Sequence, residues 1–409
     1  MKDIIVGLDI GTSKVCAIIA RLDQTNSFEI IGVGKAPSMG LRKGEVTDAD
    51  RTVDSLKDAI KQAEGLSGLE ILRGFVGVGG LGLVTSDEEC EVDVSDKEQG
   101  VSLNDVFRAR ECVKKFTPPR GKRLLIGEPA AFSVDGQPVG LEPLGWKGQK
   151  LKLKSVMFTS GVGHTENIYR IVNGSQVEVM EMLPNPLASA EAVLDDGEKS
   201  LGCLLIDIGG GTTEAIVYRH GVPRYATVLG IGGDHFDSDL AHGLGIPIRE
   251  AERIKINFGS VLPDDFLSDE VIEIAQGNSG SEYFPVKIIV EILSPRMEEI
   301  FELLGMKLHE AGVFHGLKAG VVITGGASLL KGTAEKATQV LGLPARPGYP
   351  QRLAGLSNDV RSPIFSTCVG LVKLGFRRYM QVSQEAPAGF FGGLRRRVVQ
   401  SGLWKGLTR

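Results

Sequence analysis

Val6 to Ile19 (VGLDIGTSKVCAII) and Leu204 to Val217 (LLIDIGGGTTEAIV) are two writings of one pattern. Each is an apolar run ending in Asp-Ile-Gly, then a short stretch of glycine and hydroxyl residues, then a second apolar run. Apolar segments on either side of a small-residue turn predict a β-hairpin. A third stretch, Val321 to Gly332 (VVITGGASLLKG), again runs from an apolar strand into glycines. Matched hairpins in distant parts of one chain predict two related halves that close on one ligand from opposite sides.

Polyphosphate is the chemistry such turns serve. Gly11, Gly209, Gly210 and Gly211 let backbone N–H groups approach anionic oxygens with no Cβ in the way. Thr12, Ser13, Thr212 and Thr213 add hydroxyl donors, and Lys14 adds a positive charge. Asp9 and Asp207 repel bare phosphate. Their place at the two strand ends fits a hydrated Mg²⁺, held through water, between carboxylates and phosphates. No G-x-x-x-x-G-K-[ST] loop occurs, so this is not a Walker site. One glycine-rich turn alone is an ordinary hairpin; the matched pair with Gly325, Gly326 and Ala327 reads as a nucleotide site.

These segments resemble the phosphate-1, phosphate-2 and adenosine motifs of the actin, sugar kinase and heat-shock ATPase superfamily. The resemblance implies an α/β, actin-like (ribonuclease H-like) duplicated two-domain ATPase fold around a cleft for ATP and Mg. Ala251 to Lys255 (AERIK) extends it: on a helix Glu252 and Lys255 share a face. The superfamily uses such an E-x-x-K pair at the ribose and adenine; read alone, it is a surface ion pair.

Composition sets outer bounds. A chain of 409 residues holds two to four domains, and 42% hydrophobic residues suffice for buried cores. A net charge of −5 argues against a nucleic-acid surface. The five cysteines are dispersed, mostly in apolar runs, and read as reduced core residues; the six histidines lack metal spacing. Met1-Lys2-Asp3 leads straight into a strand, so no signal peptide is expected, and no apolar run reaches the roughly 18 residues of a membrane span.

The pattern divides the chain as follows. Residues 1–85 and 159–198 are expected to form the first domain, including a capped helix from Thr47 to Ala63 stopped at Gly65. Gly77, Gly79 and Gly82 spell G-x-G-x-x-G, but an acidic, strand-like segment follows instead of a helix, so a hairpin turn is expected there. Residues 86–158 read as an inserted α+β subdomain, with a helix from Ser102 and a hairpin at Asp135-Gly136. Thr165 is expected to cap a short helix. Asn185-Pro186 starts the small-residue helix that, by resemblance, crosses between the halves. The second domain is expected at 199–231 and 320–351, with an insertion at 232–319 whose long helix, around Val286 to Leu304, is interrupted or offset near Ser294-Pro295. Residues 352–382 return to the first domain through a helix from Thr367 to Tyr379.

The C-terminal end is the second informative region. Residues 383–389 read as a linker. Residues 390–409 (FFGGLRRRVVQSGLWKGLTR) set Phe390, Phe391, Leu394, Val398, Leu403, Trp404 and Leu407 beside Arg395, Arg396 and Arg397. That mixture suits a helix lying in the headgroup layer of an anionic membrane. Leu394 and Val398 fall opposite Leu403 and Leu407 on a wheel, so a bend near Ser401-Gly402 is expected. A disordered basic tail and a protein-docking helix are the other readings.

With the tail and the inserted subdomain, the chain resembles the FtsA family of bacterial cell division proteins; Ile31 to Gly34, Ser38 to Gly44 and Glu291 to Arg296 fit it too. The resemblance implies a cytoplasmic protein, peripheral on the inner face of the membrane at the division site, that polymerises. Its partners are then the FtsZ C-terminal peptide, its own copies, anionic lipid and later division proteins reached through the inserted subdomain, with no nucleic acid. Arg296 matches a family position in the FtsZ peptide pocket, and Asp239 is the second candidate there. Asn185 stands where MreB-like relatives carry a water-orienting Glu, which implies slow or absent ATP hydrolysis. A PilM-like pilus adaptor and a small-molecule kinase are the alternatives.

Overall fold

Each matched hairpin lies at the centre of its own sheet. In the first sheet Ile4–Ile10 and Lys14–Leu22 pair antiparallel, and Phe28–Pro37 adds antiparallel to the second arm. Arg73–Val78 and then Glu178–Pro184 add parallel to the first arm. In the second sheet Cys203–Ile208 and Thr213–Arg219 form the hairpin, and Val222–Leu229 adds antiparallel. Val321–Thr324 and then Ala345–Pro347 add parallel. Order and sense of these five strands are the same in both sheets, so the duplication extends well beyond the two motifs. The computed structural model describes residues 4–22, 28–262, 271–275, 281–351, 354–356, 358 and 360–385.

Two helices cross between the sheets. Asn185–Val193 follows the last strand of the first sheet, and Ser366–Glu385 returns from the second half to the first. Both central hairpins are apolar on two faces because both faces are covered. The inner core joins Cys16, Ile18 and Phe75 of the first half to Cys203, Leu205 and Ile216 of the second through Leu187, Ala188, Cys368 and Leu371. Outer cores lie beneath helices Ala49–Ser67 and Val162–Gly174 in the first half, and beneath Gly233–Leu244 and Val286–Glu310 in the second.

Residues 84–161 contribute a separate four-stranded sheet with helix Leu103–Val113 and a core of their own. Its hairpin turns at Asp135 and Gly136, both at positive φ, as a two-residue turn of that hand requires. Lys150, Lys152 and Lys154 pair across the strands with Glu91, Glu89 and Asp87.

Several expected boundaries are corrected. The first helix starts at Ala49, where the Asp48 side chain accepts from Arg51 N–H, and runs through Gly65 to a left-handed Gly68. The helix expected to begin at Thr165 begins at Val162, and the Thr165 hydroxyl donates back to the Gly161 and Val162 carbonyls. Helix Val286–Glu310 is continuous through Pro295, because packing of its buried face outweighs one lost backbone bond. The Gly79–Gly82 turn joins strands of two different sheets and is not a hairpin. Cys90 and Cys112 are joined as a disulfide, Cα atoms 6.0 Å apart, so the reading of all five cysteines as reduced holds only for Cys16, Cys203 and Cys368.

Candidate functional site

The two hairpin turns face each other. Within each turn the same backbone bond recurs: Gly11 N–H to Lys14 carbonyl at 3.0 Å, and Gly209 N–H to Thr212 carbonyl at 2.9 Å. Across the cleft the Ser13 hydroxyl donates to Asp234 at 3.2 Å. A Cβ on Gly210 would fall 1.7 Å from Ser13 Oγ, and one on Gly211 would fall 2.6 Å from Thr12 Oγ1. Glycine is thus required at both places by close approach. The amides of Thr12, Ser13, Gly210 and Gly211 donate no backbone hydrogen bond among the described residues. Unpaired N–H groups on consecutive turn residues make an anion-binding concavity, so these residues fit a phosphate chain.

Three buried acids lie behind the turns: Asp9, Asp207 and Glu214, none more than 8% exposed. Lys14 Nζ sits 2.8 Å from Asp9. Burial works against the lysine charge, but Asp9 outweighs it and holds the ammonium above the usual lysine range. Asp207 accepts from the Ser189 hydroxyl at 2.5 Å and from Thr367 at 3.2 Å. Burial pushes its carboxyl up, the Ser189 bond works the other way, and the Asp9 charge adds to the rise. Glu214 lies directly opposite Asp207 on the neighbouring strand. Burial, then the Asp207 charge, pushes it up to about 8.

No sequence motif pointed to Glu214, Ser189 or Thr367. Glu214 follows the second turn by two residues, inside a strand that reads as plain core. The Gly80 N–H donates to it at 3.3 Å, and Asn185 hydrogen-bonds it. Cβ atoms on Gly77 and Gly79 would collide with Asn185 and Glu214. The glycines that mimic a dinucleotide fingerprint therefore let the turn approach this carboxyl and amide. Asn185 Oδ1 is buried without a hydrogen-bond partner, an orphaned acceptor beside the cleft.

The remaining expected residues divide. Gly325, at φ 87°, packs against Asp207, so the third motif joins the cleft with Gly326 and Ala327 after it. Thr213 does not face the cleft: its hydroxyl is buried and donates to the Ile231 carbonyl at 2.8 Å. Glu252 is exposed on helix Ile248–Phe258. Lys255 is tied 2.7 Å from the Asp237 carboxylate and 3.2 Å from the Gly233 carbonyl, at the start of the helix that abuts the second turn. Arg296 and Asp239 bond each other twice, at 2.7 and 3.0 Å, and Glu299 adds a second partner to the arginine. Among the described residues, no group of three or more His, Cys, Asp or Glu side chains is arranged to hold a metal ion directly. A groove of 470 Å³ between helices Val286–Glu310 and Thr333–Leu341 contains none of the expected nucleotide or peptide residues. Of the linker expected at 383–389, residues 383–385 belong instead to helix Ser366–Glu385, and 386–389, with the segment 390–409 and every expected membrane residue, lie outside the described residues. Among those described, no helix is long and apolar enough to cross a membrane.

Comparison with known proteins narrows the reading. A family model described as cell division protein FtsA matches residues 204–370. Over 375 residues the chain is 35% identical to cell division protein FtsA of Pseudomonas aeruginosa, covering 91% of this chain and 89% of that protein. Against cell division protein FtsA of Escherichia coli K12 it is 31% identical over 392 residues, covering 94% and 93%. Among solved structures, a chain of a PilM-PilN type IV pilus biogenesis complex matches with a TM-score of 0.62 at 18% identity, covering 91% of this chain and 98% of that one. MreB 5 of Spiroplasma citri bound to AMPPNP matches with a TM-score of 0.56 at 15% identity, covering 94% and 99%. The fold is the actin-like two-domain fold.

Proposed function

The chain belongs to the FtsA family of cell division proteins, and from that premise we propose that it is an ATP-binding adaptor that polymerises on the inner face of the cytoplasmic membrane at the division site. In this reading it tethers FtsZ filaments there and recruits later division proteins through residues 86–158. The observation that carries the proposal is the opposition of two glycine turns whose unpaired amides face one cleft.

Gly11 to Lys14 and Gly209 to Thr212 hold the phosphates, with Gly325 to Ala327 beside the adenosine. Mg²⁺, when bound, neutralises phosphate charge and is held through water by Asp9 and Asp207. Lys255, tied to Asp237, positions the helix that carries Glu252 rather than meeting adenine itself. Turnover is slow or absent. Asn185 offers an amide in place of a carboxylate, and Glu214, pushed up to about 8, is largely protonated at neutral pH, so neither is a ready base for water. An acidic FtsZ peptide reaches Arg296 only by competing with Asp239.

The tail binds anionic lipid as one weak anchor, and polymerisation makes many anchors act as a set. Cosedimentation of the full chain with anionic liposomes and MgATP, against a chain ending at Glu385, tests the tether. The full chain is expected to pellet and to carry FtsZ with it, and the shortened chain to remain in the supernatant. Equal pelleting of both removes the membrane part of the proposal.

A further inference from the structure

Leu41–Arg42 and Glu45–Val46 pair as a two-residue hairpin, and its tip, Lys43-Gly44, is wedged between the two glycine turns. The Gly44 N–H donates to Thr12 Oγ1 of the first turn at 3.0 Å. Toward the second turn the contact is steric: a Cβ on Gly211 would lie 2.9 Å from the nitrogen and Cα of Lys43, and one on Gly44 would lie 3.2 Å from Thr212 Cγ2. Both tip residues are left-handed, Lys43 at φ 51° and Gly44 at φ 76°. Glycine, asparagine and aspartate favour that conformation, and lysine is strained in it. The Lys43 side chain is exposed, and among the described residues no carboxylate lies within ion-pair distance of it. After burial, its charge is the next cause holding His235, on the first turn of helix Gly233–Leu244, below the usual histidine range. A strained backbone thus presents an unpaired cation beside four unpaired amides.

We propose that Lys43 is a phosphate-binding residue whose ammonium pairs with the outermost phosphate of a bound nucleoside triphosphate, making this hairpin the element that distinguishes triphosphate from diphosphate. The inference rests on the reading of the cleft as a nucleotide site. Equilibrium binding of ATP and of ADP to the full-length protein tests it, with Lys43→Gly and Lys43→Arg as variants. Lys43→Gly removes the cation and relaxes the left-handed backbone, and its nucleotide-free unfolding midpoint checks that it folds. Lys43→Gly is expected to weaken ATP binding about tenfold or more, one charge-assisted contact, and ADP binding less than about threefold. Lys43→Arg is expected to stay within about threefold of the parent for both nucleotides. An unchanged ATP-to-ADP ratio in Lys43→Gly, whether both affinities fall together or neither falls, overturns the role of Lys43 and leaves the cleft reading intact. A parent protein that binds neither nucleotide overturns both.

Discussion

Glu214 is the residue at which the chemistry of the cleft is most exposed to test. Its carboxyl has an ordinary value of 4.5, and in the folded chain it is pushed up to about 8 by burial and by Asp207. Between those values the folded chain holds a proton that the unfolded chain has released. Stability from this group is therefore full below the unfolded value and is lost as pH rises through about 8. Glu214→Gln keeps the shape and the Gly80 contact but cannot ionise. In metal-free protein, thermal unfolding followed between about pH 6 and pH 9 should show the parent losing stability more steeply than the variant. At the alkaline end Glu214→Gln should be the more stable, by something on the order of 2 kcal/mol. Parallel pH profiles for the two proteins would mean that Glu214 is not held neutral by its surroundings. No spacing rule in the sequence reaches this residue: the burial that raises it is set by the folded core, and Gly80 and Asn185, whose hydrogen bonds work the other way, are distant in the chain.

At the scale of elements, the crossing of helices Asn185–Val193 and Ser366–Glu385 joins the two halves. Their backbones touch: a Cβ on Gly370 would fall 1.7 Å from the Ala188 carbonyl oxygen. The run of small residues in the first helix foretold close packing, and Gly370 is its counterpart in the second. Gly370→Ala must spread the helices, and overpacking of this kind costs about 1–3 kcal/mol. The unfolding midpoint should fall accordingly, and nucleotide affinity should fall with it, since Ser189 and Thr367 of the same two helices bond Asp207. A variant with an unchanged midpoint would show that the crossing can relax at no cost. The hairpins and the third motif were legible because a turn between apolar strands is a local signal. The end of the first helix was not: Gly65 carries no Cβ yet continues the helix, and the stop comes only where Gly68 turns left-handed. Pro295 was misread for a related reason, since the tertiary packing around Met297, Ile300 and Phe301 is invisible in a window of sequence. Of the expected phosphate donors, Thr213 was misplaced because its hydroxyl serves the carbonyl of Ile231, more than a dozen residues further on.

For the whole molecule, the question is whether one nucleotide engages both halves. Five strands recur in the same order and sense in both sheets, and the two turns that carry the glycine patterns meet, with Ser13 reaching Asp234 across the cleft. A ligand held by one half alone would protect only that half. A ligand gripped by both makes their separation part of its own dissociation, so protection should appear in both turns together. Hydrogen exchange on the full chain, with and without MgATP, is the measurement. Slowed exchange is expected at Gly11 to Lys14 and at Gly209 to Thr212 alike, and at Gly325 to Ser328. In step with it, the unfolding midpoint should rise with ATP concentration, toward about 2.7 kcal/mol of added stability at a hundredfold excess over the dissociation constant. Protection confined to one turn, with the other exchanging as in the free protein, would mean that the two halves do not share the ligand and that the matched hairpins have parted in function.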